Sequence, residues 1–349
     1  MTDPKFKSGL ILPNRRRFLQ GSAALAAGAL AMPYVARSDD KVLYVNSWGG
    51  PWLEAAKANL FDPFTAETGI EIRTVSPVSF AKLAAQVKTG VYEFDVTTLG
   101  GGDIVRANEA GIIEDLEAPY EGGLFQNGVA SHAFATVMAW RTDTIKGTPK
   151  SWADFWDVER FPGGRSLQRY AARVLPIALL ADGVAMEDLY PLDIERAFAK
   201  LDEIKDHIRV WWTAGAQSTQ ILRDGEIDMI GIWHGRYFEA EDAGAPVAMT
   251  WNQAEIDRAY WVVAKDTPNM EAAKLFVEFA TSAKPLAGFA SQAKYGALNP
   301  AANEFVPDSA KSRMPTSPAN YPLAFEQDMS NWGGDPHEVS ARFDEWLAS

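Results

Sequence analysis

KVLYVNSWGGPWLEAA, residues 41–56, decides how the chain is read. The apolar run Val42 to Val45 predicts a strand, and Asn46, Ser47 and the pair Gly49-Gly50 predict its end. A helical pattern follows from Leu53 to Glu67, interrupted near Pro63. The same alternation repeats downstream. IEIRTV (70–75) reads as strand, FAKLAAQVKTG (80–90) as a helix stopped by glycine, DVTTLG (95–100) as strand, and DIVRANEAG (103–111) as helix to glycine. A strand–helix rhythm of this kind predicts a parallel sheet with helices on its faces.

A second α/β region follows. A strand from Ala133 to Arg141 leaves the first unit, and Ser151 with Asp154 has the spacing of a capping box. Helical patterns at 171–182 and 193–206 precede strands at 207–212 and 227–233, with a helix at 217–224 between them. AYWVVAK (259–265) is a further crossing strand, Pro268 opens a helix, and EVSARFDEWLAS ends the chain as another. At 349 residues, two lobes are the default.

Composition excludes several classes. The chain has no cysteine, so disulfides, thiolate metal sites and a cysteine nucleophile are out. Its formal net charge of −13 repels nucleic acid and anionic lipid, and no basic stripe offsets it. The four histidines lack metal-ligand spacing, and no nucleophile elbow, Walker loop or dinucleotide fingerprint is present. An enzyme, a cofactor and a metal are therefore not expected.

Residues 1–38 read as a signal peptide: basic NRRRFLQ (14–20), short apolar GSAALAAGALAM (21–32), then ARS (36–38) before Asp39. Arg15-Arg16 followed by Phe18-Leu19 has the form of a twin-arginine signal, which implies the twin-arginine export machinery and the periplasm.

Ligands of open α/β sheets bind off the carboxyl ends of the strands. At those ends stand Trp48, the turn Gly100-Gly101-Gly102, Trp211, Trp212 and Trp233, with Trp261 on a crossing strand. Aromatic faces attract ammonium groups, by about 0.5–2 kcal/mol per contact. The glycine turn opens a helix, so its N–H groups suit an anion, although a tight structural turn explains it as well. His234 reads either as polar lining or as a structural histidine.

From LYVNSWGG (43–50), FDPFTAETGIEI (61–72), SWADFWDVERFPGGRSL (151–167), LRDGEIDMIGIWHGR (222–236) and PNMEAAKLFVEFATSA (268–283), in that order, the chain resembles the periplasmic substrate-binding proteins of ABC importers. The branch it resembles binds spermidine and putrescine. The resemblance implies a type II binding-protein fold, two α/β lobes hinged by crossing segments, and delivery of a small-molecule ligand to an ABC permease by a monomer. The expected lobes are 39–136 with 264–302 and 137–263 with 303–349. It implies ligand-facing aromatics at Trp48, at Trp233 of the W-x-G motif, and at Tyr260 or Trp261; Trp52 packs against its own helix.

The departures from that branch decide the expected ligand. Where the polyamine binders place carboxylates, this chain has Tyr170 and Arg173; a further acid is replaced by Ala259, and the early loop becomes Gly100–Gly102. A buried unpaired ammonium costs several kcal/mol, so a site without those acids rejects a long polyamine. Arg173, and more weakly Arg169, suit a carboxylate held bidentately, an inter-lobe salt bridge being the other reading. Asp103 and Asp257 remain for an amine. The expected ligand-facing set is thus Trp48, Gly101, Asp103, Tyr170, Arg173, Trp233, Tyr260 and Trp261, with Arg169, Trp212, His234 and Asp257 behind them. The ligand class is a zwitterion of the γ-aminobutyrate or betaine type. A diamine is the alternative, and so is iron held by Tyr170, Tyr237 and Tyr260.

Overall fold

The computed structural model describes residues 42–349; the expected signal peptide lies outside them. Eleven strands form one sheet: β1 Val42–Asn46, β2 Glu71–Val75, β3 Val96–Leu99, β4 Leu124–Phe125, β5 Gly128–Arg141, β6 Arg165–Gln168, β7 Ile208–Trp212, β8 Met229–Trp233, β9 Val247–Val263, β10 Gly296–Ala297 and β11 Ala324–Glu326. The spatial order is β2-β1-β3-β9-β5-β8-β6-β7, with β4 and β10 on β5 and β11 on β9. β1 pairs in parallel with β2 and β3, and β6 with β7 and β8, as strand–helix alternation requires. The two long strands between these groups, β5 and β9, run antiparallel to each other. The sheet is therefore mixed, and β5 and β9 connect its two halves.

Each half has its own core. Leu43, Val45, Phe61, Phe64, Phe276 and Phe289 pack the first. Trp152, Phe155, Leu175, Leu179, Phe198 and Phe343 pack the second. Ala302, Val306 and Met314 belong to the first core, so the chain stays with the first half until it turns back as β11.

Most local expectations hold at their stated places. The helix expected from Leu53 starts earlier: α1, Gly50–Ala56, runs through a π-turn at Lys57–Phe61 into helix Asp62–Thr68. The π-turn ends where Pro63 enters the first turn of the next segment, a position at which its missing N–H costs nothing. The helix stop at Gly90 is left-handed, with φ 68°. Ser151 makes no side-chain cap; Asp154 instead accepts from the Lys150 N–H at 2.6 Å.

The largest difference is β9. The sequence predicts a strand only from Ala259, whereas the strand begins at Val247. WNQAEIDR (251–258) is polar, so the run reads as loop; in the structure Gln253 takes a positive φ of 60°. Pairing with β5 along nearly its whole length holds it extended.

Trp52 is buried, and its ring packs on Trp261 at 6.0 Å, Phe289 at 5.5 Å and Phe61 at 6.4 Å. It therefore packs on more than its own helix. Trp261 is fully buried and also meets Phe276 at 5.2 Å. Trp261→Ala is expected to cost about 3–5 kcal/mol in chemical denaturation, the usual result of emptying an aromatic core site. Trp261→Phe should keep ligand affinity within about threefold by calorimetry; a large loss with unchanged stability would mean the ring touches ligand.

Candidate ligand-binding site

Side chains alternate faces along a strand, so the register states which residues share a surface. On β9, Glu255 and Asp257 point to one face. β5 places Thr136 opposite Glu255 and Phe134 opposite Asp257, and β8 places Trp233 opposite Thr136. On the other flank, β3 places Thr98 opposite Trp261, on that same face, and Gly100 follows two residues later. One face of the continuous sheet thus carries, in sequence across the halves, Thr98, Asp257, Phe134, Glu255 and Trp233.

Over this face lies the first turn of the helix Ala171–Ala181, which delivers Arg173. Arg173 is 5% exposed and Glu255 is fully buried. The guanidinium Nη2 donates to Asp257 Oδ2, and Nη1 lies 3.1 Å from Glu255 Oε2. That second approach is off the line a hydrogen bond needs. Among the described residues, Arg173 Nε and Nη1, Glu255 Oε2, Thr136 Oγ1 and Trp233 Nε1 have no aligned partner although all are buried. Unpaired buried polar atoms are rare in folded proteins; these five share one face, while others, such as Nε1 of Trp52, Trp261 and Trp332, lie in the two cores. Phe134 joins the charged and aromatic parts: the Arg173 guanidinium stands 5.3 Å from its ring, and Trp233 meets it edge-on at 6.2 Å.

The glycine turn closes the first-half side. Gly100 caps the helix Gly101–Glu109, and the Gly101 N–H donates to Asp257 Oδ1 at 3.3 Å. The anion that this turn holds is therefore the protein's own carboxylate. A Cβ at Gly100 would lie 3.1 Å from Asp257 Oδ2, so the absence of a side chain allows the approach.

Electrostatics follow from burial. Burial pushes Glu255 up to about 7, against the pull of Arg173. Burial also opposes the charge on Arg173, but Glu255 and Asp257 more than offset it and hold the guanidinium protonated. Asp103 is raised first by desolvation and then by Asp257, with Arg106 working in the other direction from 3.0 Å. Burial raises the Tyr170 hydroxyl, Arg173 lowers it, and the charges of Asp103, Asp257 and Glu255 raise it again. Tyr170, Arg173, Asp103, Asp257 and Glu255 therefore form one electrostatic unit.

The structure sorts the expected residues. Gly101, Asp103, Tyr170, Arg173 and Asp257 meet, and Trp233 reaches them through Phe134. Trp48 is 49% exposed at the rim, its indole N–H donating to Thr98 Oγ1 at 2.9 Å. Others stand elsewhere. Tyr260 points to the opposite face of β9 and packs on Phe125 at 5.4 Å. Trp261 is core. Trp212 is fully buried, donates to Gly231 O at 2.9 Å, and supports Trp233 edge-on at 5.1 Å. His234 is fully buried, with Nδ1 3.1 Å from the Ala135 N–H and Nε2 2.8 Å from Lys294 O, and burial lowers it to about 4. It is the structural histidine of the two readings. Arg169 makes a surface ion pair with Asp344 at 2.9 Å. Tyr237 is buried in another cluster, donating to Glu241 at 2.8 Å, so it does not join Tyr170 in an iron site.

Glu255, Phe134 and Gln327 were not expected. Gln327 donates from Nε2 to Glu255 Oε1 at 3.1 Å and to Ala172 O at 3.0 Å. Two-residue alternation back from Asp257 finds Glu255, once β9 is known to extend that far.

Comparison with known proteins agrees with this architecture. The model of the family described as bacterial extracellular solute-binding protein matches residues 59–316. The gamma-aminobutyric acid-binding protein of Pseudomonas aeruginosa is 34% identical over 93% of this chain and 96% of its own. The spermidine/putrescine-binding periplasmic protein of Salmonella typhimurium is 25% identical over 92% of this chain and 95% of its own. Among solved structures, an ABC transporter substrate-binding protein from Bradyrhizobium japonicum superposes with a TM-score of 0.84 at 34% identity, covering 87% of this chain and 99% of that one. A structure described as a GABA receptor gives a TM-score of 0.80 at 33% identity, covering 88% and 98%. The two-sided mixed sheet is the type II periplasmic binding-protein fold, and the chain belongs to the bacterial extracellular solute-binding protein family.

Proposed function

We propose that this protein captures a short zwitterionic amino acid of the γ-aminobutyrate type in the periplasm and delivers it to an ABC permease. The observation that carries the reading is the buried Arg173 with unaligned donors, set beside two acids on one sheet face. A ligand bearing both charges satisfies both. Its carboxylate competes with Glu255 for Nη1 of Arg173, at the N-terminus of helix Ala171–Ala181, where the helix dipole favours an anion. Its ammonium lies toward Asp257 and Asp103. Tyr170, Trp48 and Trp233 supply the apolar walls for the carbon chain. A diamine would bring a second ammonium to Arg173, a like-charge contact in a dry site. The likeness to two proteins named for γ-aminobutyrate supports the same choice over the polyamine relatives.

The two halves of the sheet act as lobes that divide through β5 and β9, with residues 302–314 moving with the first. Ligand contacts from both sides favour the closed arrangement. The chain works as a monomer and reaches the periplasm through the twin-arginine machinery; replacing Arg15 and Arg16 by Lys should leave the precursor in the cytoplasm on cell fractionation.

Calorimetry on the mature protein should show tighter binding of γ-aminobutyrate than of putrescine. Arg173→Ala should weaken the zwitterion by at least a hundredfold and leave the diamine within a few-fold, since removing one partner of a buried charge pair costs about 2–5 kcal/mol. Tight putrescine binding with no response to zwitterions would reject the reading. Glu255 offers a pH test. Burial raises it from the ordinary 4.5 to about 7 in the folded protein, so its contribution is complete below about 4.5 and is lost as pH rises through 7. Wild type should therefore lose Tm relative to Glu255→Gln between pH 5 and 8; a constant difference over that range would contradict the assignment.

A further inference from the structure

We propose that Met329 sets the length of the ligand that the site accepts, an inference that rests on the zwitterion reading above. After β11 the chain passes between the halves. The Gln327 N–H donates to Ile256 O at 2.9 Å, and its side chain ties Glu255 to Ala172 as described. This fixes the next residues over the charged face. Met329 packs with the second-half core, yet it reaches across to the first-half glycine turn. A Cβ at Gly102 would lie 3.2 Å from Met329 Cε and 3.7 Å from the Tyr170 hydroxyl, and one at Gly101 would lie 3.6 Å from Met329 Cγ and 3.3 Å from Asp257 Oδ1. The thioether thus stands between the glycines, Tyr170 and Asp257, at the end of the slot where the ammonium is expected.

A flexible unbranched side chain in that place fills the room that extra methylenes of a longer ligand would need. The bare glycine backbone opposite makes the fit close without strain. Specificity here is a matter of volume: each methylene that fits or fails to fit in an apolar pocket shifts preference by about ten- to two-hundredfold.

The test is calorimetry with γ-aminobutyrate, 5-aminovalerate and 6-aminohexanoate on wild type, Met329→Ala, Met329→Leu and the double variant Gly102→Ala/Met329→Ala. Wild type should prefer the shortest. Met329→Ala should move the ratio of 6-aminohexanoate to γ-aminobutyrate affinity by at least tenfold toward the longer ligand. Met329→Leu should keep the wild-type order, and the methyl at position 102 should reverse part of the shift. An unchanged ratio in Met329→Ala, with binding retained, overturns the length filter and leaves the zwitterion reading standing. No binding of any of the three by wild type overturns both. Near-ultraviolet circular dichroism of each variant confirms that tertiary packing is kept, so a lost signal cannot be taken for a changed preference.

Discussion

The buried contact of Arg173 with Asp257 and Glu255 is the constraint on which the site depends. Desolvating three charged groups is costly, and the attraction between them repays it only with good geometry. Here one contact, Arg173 to Asp257, is aligned, while the one to Glu255 is not. The surrounding structure serves this arrangement. β9 brings both acids to one face, the first turn of helix Ala171–Ala181 brings the guanidinium over them, and the glycine turn after β3 adds an N–H to Asp257.

The same contact links the halves of the molecule. Arg173 belongs to the second half, the glycine turn to the first, and Asp257 on the crossing strand touches both. A ligand that replaces part of this pairing with its own carboxylate and ammonium alters the bonds that hold the halves together. On the proposed reading, recognition and closure use the same few atoms. This differs from a site in which charge is held on one rigid lobe and the other merely covers it.

How much of this was legible beforehand varied by residue. The strand–helix alternation from Val42 to Glu109 and from Arg165 to Trp233 is visible because apolar periodicity records burial directly. Arg173, Tyr170, Asp257 and Gly101 were singled out by setting the chain against the polyamine-binding branch, where Tyr170 and Arg173 stand in place of acids, glycines replace the early loop and Asp257 remains as an acid. Glu255 was hidden for a physical reason: its strand is partly exposed on both faces over Val247–Gln253, contains Asn252 and Gln253, and carries no alternation to read. Cross-strand pairing with β5 makes it a strand, and that pairing is a long-range fact. Tyr260 and Trp261 show the converse limit. They are adjacent aromatics on a crossing strand, but the pleat sends them to opposite faces and into two different cores. Composition at a position cannot reveal the face it occupies.

The most direct measurement is a crystal structure of the mature protein with γ-aminobutyrate. The account predicts the ligand carboxylate within hydrogen-bond distance of Arg173, its ammonium on Asp257 or Asp103, and its carbon chain against Tyr170 and Trp233. A ligand bound away from this face, with Arg173 still engaged only by Asp257 and Glu255, would contradict it.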